Sequence, residues 1–219
     1  MNKKIYACYS PSHKPLLDEH FLPTIPSGFD VILRRFDQVC PTGNFMSEKW
    51  GEAVEHKIRF ILEAIDSEKE PFLYSDVDVR FYDFHPQDLE DAMAPRAGTV
   101  PDLRCQQDQN YFCLGFMFVR PCSSVKKLFE ITLQSTRNYN DDETAFNQFA
   151  LPELKKMNEY PLDISLLPRE RYWNIDDQWN GIAPWEGVIP PRIAIHHGNY
   201  TVGIPNKMSL LNHIKSRKI

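Results

Sequence analysis

The chain contains no apolar run long enough to cross a bilayer, no paired-cysteine signature and no concentrated block of one charge. Each absence removes a class of protein. A spanning helix takes about 20 consecutive apolar residues, whereas the apolar start over residues 5–9 stops at Ser10-Pro11-Ser12. That run is also too short for the core of a secretion signal. A cytoplasmic protein without a membrane span is therefore expected, and the sequon-like Asn199-Tyr200-Thr201 reads as coincidence. The five cysteines (Cys8, Cys40, Cys105, Cys113, Cys122) are odd in number and lack both a C-x-x-C pair and zinc-ligand spacing. They read as reduced thiols packed as small apolar residues in a reducing compartment. Basic residues are scattered outside the tail 213–218, and the net charge is −5, so the electrostatic footprint of a nucleic-acid partner is missing. No Gly/Ser-rich linker, repeat or low-complexity tract divides the 219 residues, which reads as one domain over 1–219.

What is present is the alternation of an α/β protein. The apolar content of 42% is that of a chain with a real core. Residues 5–9 read as a buried first strand and 29–36 as a second, following the turn signal Pro26-Ser27-Gly28. From 47 to 65, Trp50, Val54, Ile58, Ile61, Leu62 and Ile65 recur at helical spacing. A strand over 71–75 runs directly into Asp76-Val77-Asp78. Further strands are expected at 112–119, 164–167 and 193–197, with helices near 122–136 and 143–154 and in the C-terminal tail. Strands interleaved with helices imply a mixed, mostly parallel sheet covered on both faces. Ligands of such sheets sit beyond the carboxyl ends of the strands, where residues 8–10 and 76–78 both arrive.

Three segments carry chemistry. Residues two apart on an extended strand project to one side, so Asp76 and Asp78 can converge on a cation. With 16 aspartates in the chain, about one Asp-x-Asp arises by chance, and it is delivery by an apolar strand to the ligand edge that lifts this one. The second segment is a strand ending at His196-His197, followed by Gly198, Gly203 and Lys207, a set suited to a metal ligand and a diphosphate clamp. An imidazole beside carboxylates favours Mn²⁺ over Mg²⁺, which prefers oxygen throughout. The third is Asn140-Asp141-Asp142-Glu143. Acids in a first helical turn also cap free backbone donors, so spacing leaves capping and catalysis equally open here.

In this order, the segments resemble nucleotide-diphospho-sugar transferases of the GT-A (Rossmann-like) fold, and the resemblance spans most of the chain. Residues 71–79 are similar to the family's strand and Asp-x-Asp motif, which binds the divalent ion and the donor's ribose and diphosphate. That similarity implies nucleotide contacts from Ser75, Asp76 and Val77, and a base cradled by Ala7, Cys8, Tyr9 and Ser10. Lys57 and Arg59 sit where relatives carry a basic residue close to the donor. Asp142 and Glu143 are similar to the family's Asp-Gln segment near the reacting carbon, with Glu143 standing where glutamine is usual. His197-Gly198-Asn199 with Gly203 and Lys207 resembles the C-terminal motif that adds the third metal ligand, and this spacing selects His197 over His196. Residues 112–120 resemble a strand that reads Asn-x-Gly in relatives, with Cys113 at the asparagine position. The resemblance implies Mn²⁺ or Mg²⁺ held by Asp76, Asp78 and His197, a UDP-sugar donor, a glycan or glycoprotein acceptor, and retention of anomeric configuration. Size and the missing anchor resemble the transferase domains with which large algal viruses glycosylate their capsids. A nucleotidyltransferase and an inactive nucleotide- or glycan-binding module are the other readings, and Trp173, Trp179 and Trp185 form either a sugar platform or packing at a sheet edge.

Overall fold

The structure, a computed structural model, describes residues 2–96, 98–175 and 185–218. In chain order the strands are β1 (Lys3–Tyr9), β2 (Phe29–Arg35), β3 (Phe72–Ser75), β4 (Val79–Phe81), β5 (Leu103–Asp108), β6 (Tyr111–Val119), β7 (Ile164–Leu166), β8 (Tyr172–Asn174) and β9 (Ile195–His197). Six of them form one sheet in the order β2-β1-β3-β6-β5-β7, and β4-β9-β8 form a second. In the large sheet β1 is parallel to both neighbours and β5 is parallel to β7, while β6 runs antiparallel to β3 and β5. This is the mixed, mostly parallel sheet the sequence implies.

Alternation along the strands divides the core in two. Tyr6, Phe72, Tyr74 and Met117 face one layer, which packs against Ile58 and Ile61 of the Trp50–Ser67 helix and Leu128 and Phe129 of the Ser123–Tyr139 helix. Ile5, Leu73, Phe116 and Phe118 face the other layer, closed by Leu16, Leu89, the second sheet and Leu211 of the Ile204–Lys218 helix. The first long helix begins at Trp50 rather than 47, because Met46 and Lys49 take positive φ of 56° and 59° just before it. Residues 142–155 wind as one helical stretch with π geometry over Ala145–Ala150. Five features lay outside the sequence reading: β4, β5, β8, the Pro86–Met93 helix and the short helical turns between residues 11 and 24. Among the described residues no helix is long and apolar enough to cross a membrane.

Because β1 and β3 are parallel, both release the chain at one sheet edge, and antiparallel β6 passes the same edge at Gly115. The site is assembled there.

Candidate active site

Asp76 follows β3 directly, and its N–H donates to the Gly115 carbonyl at 2.7 Å. Val77 and Asp78 then turn, so the two carboxylates meet through a bend and not, as the sequence reading supposed, through the pleat of an extended strand. β9 pairs with β4 so that His197 lies opposite Val79, and the Gly198 N–H donates to the Asp78 carbonyl at 2.9 Å. Asp76, Asp78 and His197 thereby each offer a ligand atom within 4.8 Å of the others. Gly115 keeps that space open. A β-carbon there would come to 2.9 Å from both Asp76 Oδ2 and His197 Nε2.

The imidazole is oriented from behind. His197 Nδ1 lies 2.7 Å from Gln106 Oε1, and the same amide donates through Nε2 to the Tyr172 carbonyl at 3.2 Å, which fixes the amide oxygen toward the ring. Nδ1 therefore donates to that oxygen, and Nε2 faces Asp78 Oδ1, 3.2 Å away. His196, one residue earlier, points to the opposite face. There it packs at 4.8 Å from the Trp173 ring, and burial drives its pKa down to about 3.

Two lysines hold the acids. Lys57 Nζ is 3.1 Å from oxygens of both Asp76 and Asp142, and Lys207 pairs with Asp78. Burial pushes the Asp78 carboxyl up, but Lys207 and His197 outweigh it and hold the group well below the usual carboxylate range. Burial likewise works against charge on Lys57, and Asp142 and Asp76 more than reverse it. Tyr74 donates to Asp76 Oδ1 at 3.0 Å and contacts Cys8 Sγ at 3.3 Å; burial pushes the Cys8 thiol up to about 12. Arg59 takes no part, since its exposed side chain pairs with the buried Glu55 at 3.6 Å.

Asp141, Asp142 and Glu143 divide the roles that spacing left open. Asp141 is the cap, accepting from the Thr144 N–H at 2.9 Å and hydroxyl at 2.7 Å. Asp142 turns to Lys57, while Glu143 faces Asp108 and Cys113, with a ligand atom of each within 4.8 Å of the others. Burial, then the Asp108 charge, raises the Glu143 carboxyl well above its ordinary value.

Two cavities meet at the acid cluster. One is lined by Cys8, Tyr9, Ser10, Phe36, Val54 and Val77; the other reaches Asp108, Cys113, Asp142 and Glu143, and both include Lys57, Asp76, Asp78 and Lys207. Ala7 lines neither, because its side chain points into the core beside Ile5 and Leu73. Ser75 is also fully buried and donates to the Asp76 carbonyl at 3.0 Å. Trp173 is buried and packs on Trp185 at 5.4 Å, so this pair fills the edge of the second sheet; Trp179 lies outside the described residues. The sequence reading missed Gln106, Asp108 and Tyr74, two of them on the unread strand β5.

Comparison with known proteins places this geometry. The fold is similar to that of a glycosyltransferase involved in glycosylation of the major capsid of PBCV-1, at a TM-score of 0.57 and 12% identity, over 99% of this chain and 100% of that one. The glycosyltransferase GlyE of Streptococcus pneumoniae TIGR4 is similar over 100% of this chain and 64% of its own, at TM-score 0.52 and 12% identity. Mouse xyloside xylosyltransferase 1 follows at 0.51 and 10%, over 91% and 98%. No curated protein matches the sequence. The sequence profile of the nucleotide-diphospho-sugar transferases matches residues 29–211, which takes in the whole acid and histidine cluster. The chain belongs to the nucleotide-diphospho-sugar transferase family.

Proposed function

We propose that the enzyme moves a sugar from a uridine diphosphate donor to a glycan or glycoprotein acceptor, with retention of configuration, using a divalent ion held by Asp76, Asp78 and His197. The observation that carries this reading is the convergence of two carboxylates and one imidazole on space left free by Gly115. This donor set fits a divalent ion, and the imidazole favours Mn²⁺ over Mg²⁺. When bound, the ion supplies Lewis-acid stabilisation of the diphosphate leaving group.

The chain's own groups account for the remaining chemistry. Gln106 holds the His197 proton on Nδ1 and so keeps Nε2 available as a ligand. Lys207, paired with Asp78 in the free protein, is the cation placed to stabilise negative charge on the departing phosphates. Lys57 adds a second positive charge and ties Asp142 to Asp76 across the cavity. The cavity beside Cys8 and Tyr9 takes the nucleoside, with Tyr9 available for stacking. The sugar then extends toward Cys113, Asp142 and Glu143, where Asp142 stabilises positive charge at the anomeric carbon. Retention rests on the family resemblance of the histidine motif.

The test is nucleoside-diphosphate release from UDP-sugars, with Mn²⁺ and with EDTA, in the wild type and in Asp78→Ala. Loss of the ligand is expected to lower turnover by about a hundredfold or more, and equal, metal-independent turnover in both proteins would sink the mechanism. Pyrophosphate in place of nucleoside diphosphate would assign nucleotidyl transfer instead. His197→Ala is expected to weaken nucleotide binding only with metal present; an equal loss in EDTA makes the imidazole structural.

A further inference from the structure

The second sheet has a face that the acid cluster does not use. Val79, Phe81 and His197 project to one side of β4 and β9, so Arg80, Tyr82 and His196 project to the other. Arg80 lies directly opposite His196 across the two strands, and Trp173 of β8 stands beside His196 in register. Leu210 and Ile214 of the C-terminal helix pack on this side with Trp173 and Tyr82. His20, in the helical turn Leu17–Phe21, meets Arg80 there, its Nδ1 3.4 Å from Nη1.

These groups are short of partners. A guanidinium only donates, so His20 Nδ1 accepts from Arg80 and the proton of the neutral ring sits on Nε2. That Nε2, Arg80 Nε and both nitrogens of His196 are out of contact with solvent, and none has a hydrogen-bond partner among the described residues. Both imidazoles are buried. Arg80 is half-buried, with its guanidinium over the Tyr82 ring at 5.8 Å and close to the Tyr82 hydroxyl. Its positive charge is unanswered as well. Arg80 forms no ion pair among the described residues, and Lys215 of the C-terminal helix is a second positive charge acting on His20. Among the described residues the only acid whose charge bears on either imidazole is Asp78, and it is tied to Lys207 and His197 on the opposite face.

Buried N–H donors without acceptors are unfavourable, and so is a guanidinium held from water with no counter-charge. A water molecule accepts hydrogen bonds but leaves the charge as it was. An anion supplies an acceptor that several N–H groups can share, together with the missing negative charge. Trp173, Leu210 and Ile214 close this face, which restricts the occupant to a small one.

We propose that Arg80, His20 and His196 hold a monatomic anion of the size of chloride on the covered face of the second sheet. None of the three lines the cavities at the acid cluster, so this site is distinct from the one that takes the donor. Because β9 carries His196 on one face and His197 on the other, the ion braces the strand that presents His197 to Asp78.

The experiment uses bromide as the probe, in two measurements on the whole chain. Crystals grown in sodium bromide are expected to show an anomalous peak within hydrogen-bond reach of Arg80 Nε and the His196 ring; water or no density at that place overturns the inference. In solution at neutral pH and constant ionic strength, exchanging gluconate for bromide at about 0.1 M is expected to raise the wild-type melting temperature by at least about 2 °C. Arg80→Met keeps the apolar stem and removes the charge and the donors, and His196→Phe keeps the ring on Trp173 and removes its nitrogens. Both are expected to lose most of that rise, and their melting temperatures in gluconate alone report whether they fold. A wild-type temperature that bromide leaves unchanged, or a rise of equal size in wild type and both variants, overturns the inference, the second by placing the bromide elsewhere on the protein.

Discussion

Gly115 occupies the middle of a strand, where glycine weakens the sheet and adds nothing to the core. Its use here is the space that a side chain would take from the cluster of Asp76, Asp78 and His197, since a β-carbon would crowd both Asp76 Oδ2 and His197 Nε2. Gly115→Ala is therefore expected to fold but to lose most of the Mn²⁺-dependent rise in melting temperature that UDP gives the wild type, an effect equivalent to at least about tenfold in affinity. An unchanged metal-dependent shift would mean that the cluster does not hold the ion. At this scale the sequence was readable wherever a residue stood at the end of an apolar strand: Asp76, Asp78 and His197 were found, and they converge. Asp142 and Glu143 were readable as residues but not as roles, because one turn of helix offers capping and cavity positions to neighbours alike, and only the fold sends Asp141 to Thr144 and Asp142 to Lys57. Gln106 was not readable at all. A glutamine that orients an imidazole from another strand leaves no local pattern.

The helix that carries Lys57 is capped by a different element. Lys49, just before its first residue, supplies no side-chain cap, and the orphan Gly51 N–H is instead satisfied by Asn140 Oδ1 at 2.9 Å. Asn140 ends the Ser123–Tyr139 helix in left-handed geometry, φ 53°, two residues before Asp142. One asparagine thus closes one helix, starts another and fixes the two sides of the Lys57–Asp142 pair. Asn140→Ala loses both the acceptor and the residue type that tolerates this backbone, and should destabilise by about 1–3 kcal/mol in denaturant unfolding. Asn140→Gly keeps the backbone and loses only the acceptor, so it should cost less; equal losses would show that the left-handed turn contributes nothing. The helix itself was evident from the spacing of Val54, Ile58, Ile61 and Ile65, all buried, while its first turn was not, because positive φ at Met46 and Lys49 has no glycine to announce it. β5 was missed because Leu103 to Asp108 pairs a buried face with polar residues that also serve the site, and its strand length is short of a clear alternating signal.

Taken as a whole, the molecule buries titratable groups whose contributions to stability have opposite signs. Glu143 and Asp142 have raised carboxyls, first through burial, so the folded state takes up their protons first and gains on acidification. His20 works in the other direction. It sits in the helical turn Leu17–Phe21, 1% exposed, with Arg80 Nη1 of β4 at 3.4 Å; burial, then the Arg80 and Lys215 charges, lower its pKa from 6.5 to about 4. The unfolded chain therefore binds this proton at a higher pH than the folded protein does. The contribution of neutral His20 is fully present above pH 6.5 and is lost as pH falls toward 4, up to about 3 kcal/mol. His20→Leu removes this one term and leaves the carboxyls in place. The difference in unfolding free energy between wild type and His20→Leu is accordingly expected to move in the variant's favour as pH drops from 7 to 4.5, measured by urea unfolding at each pH. A difference that stays constant over that interval would show that the imidazole accepts its proton in the folded state as readily as in the unfolded chain, through a local opening that lets water reach the ring beneath the second sheet.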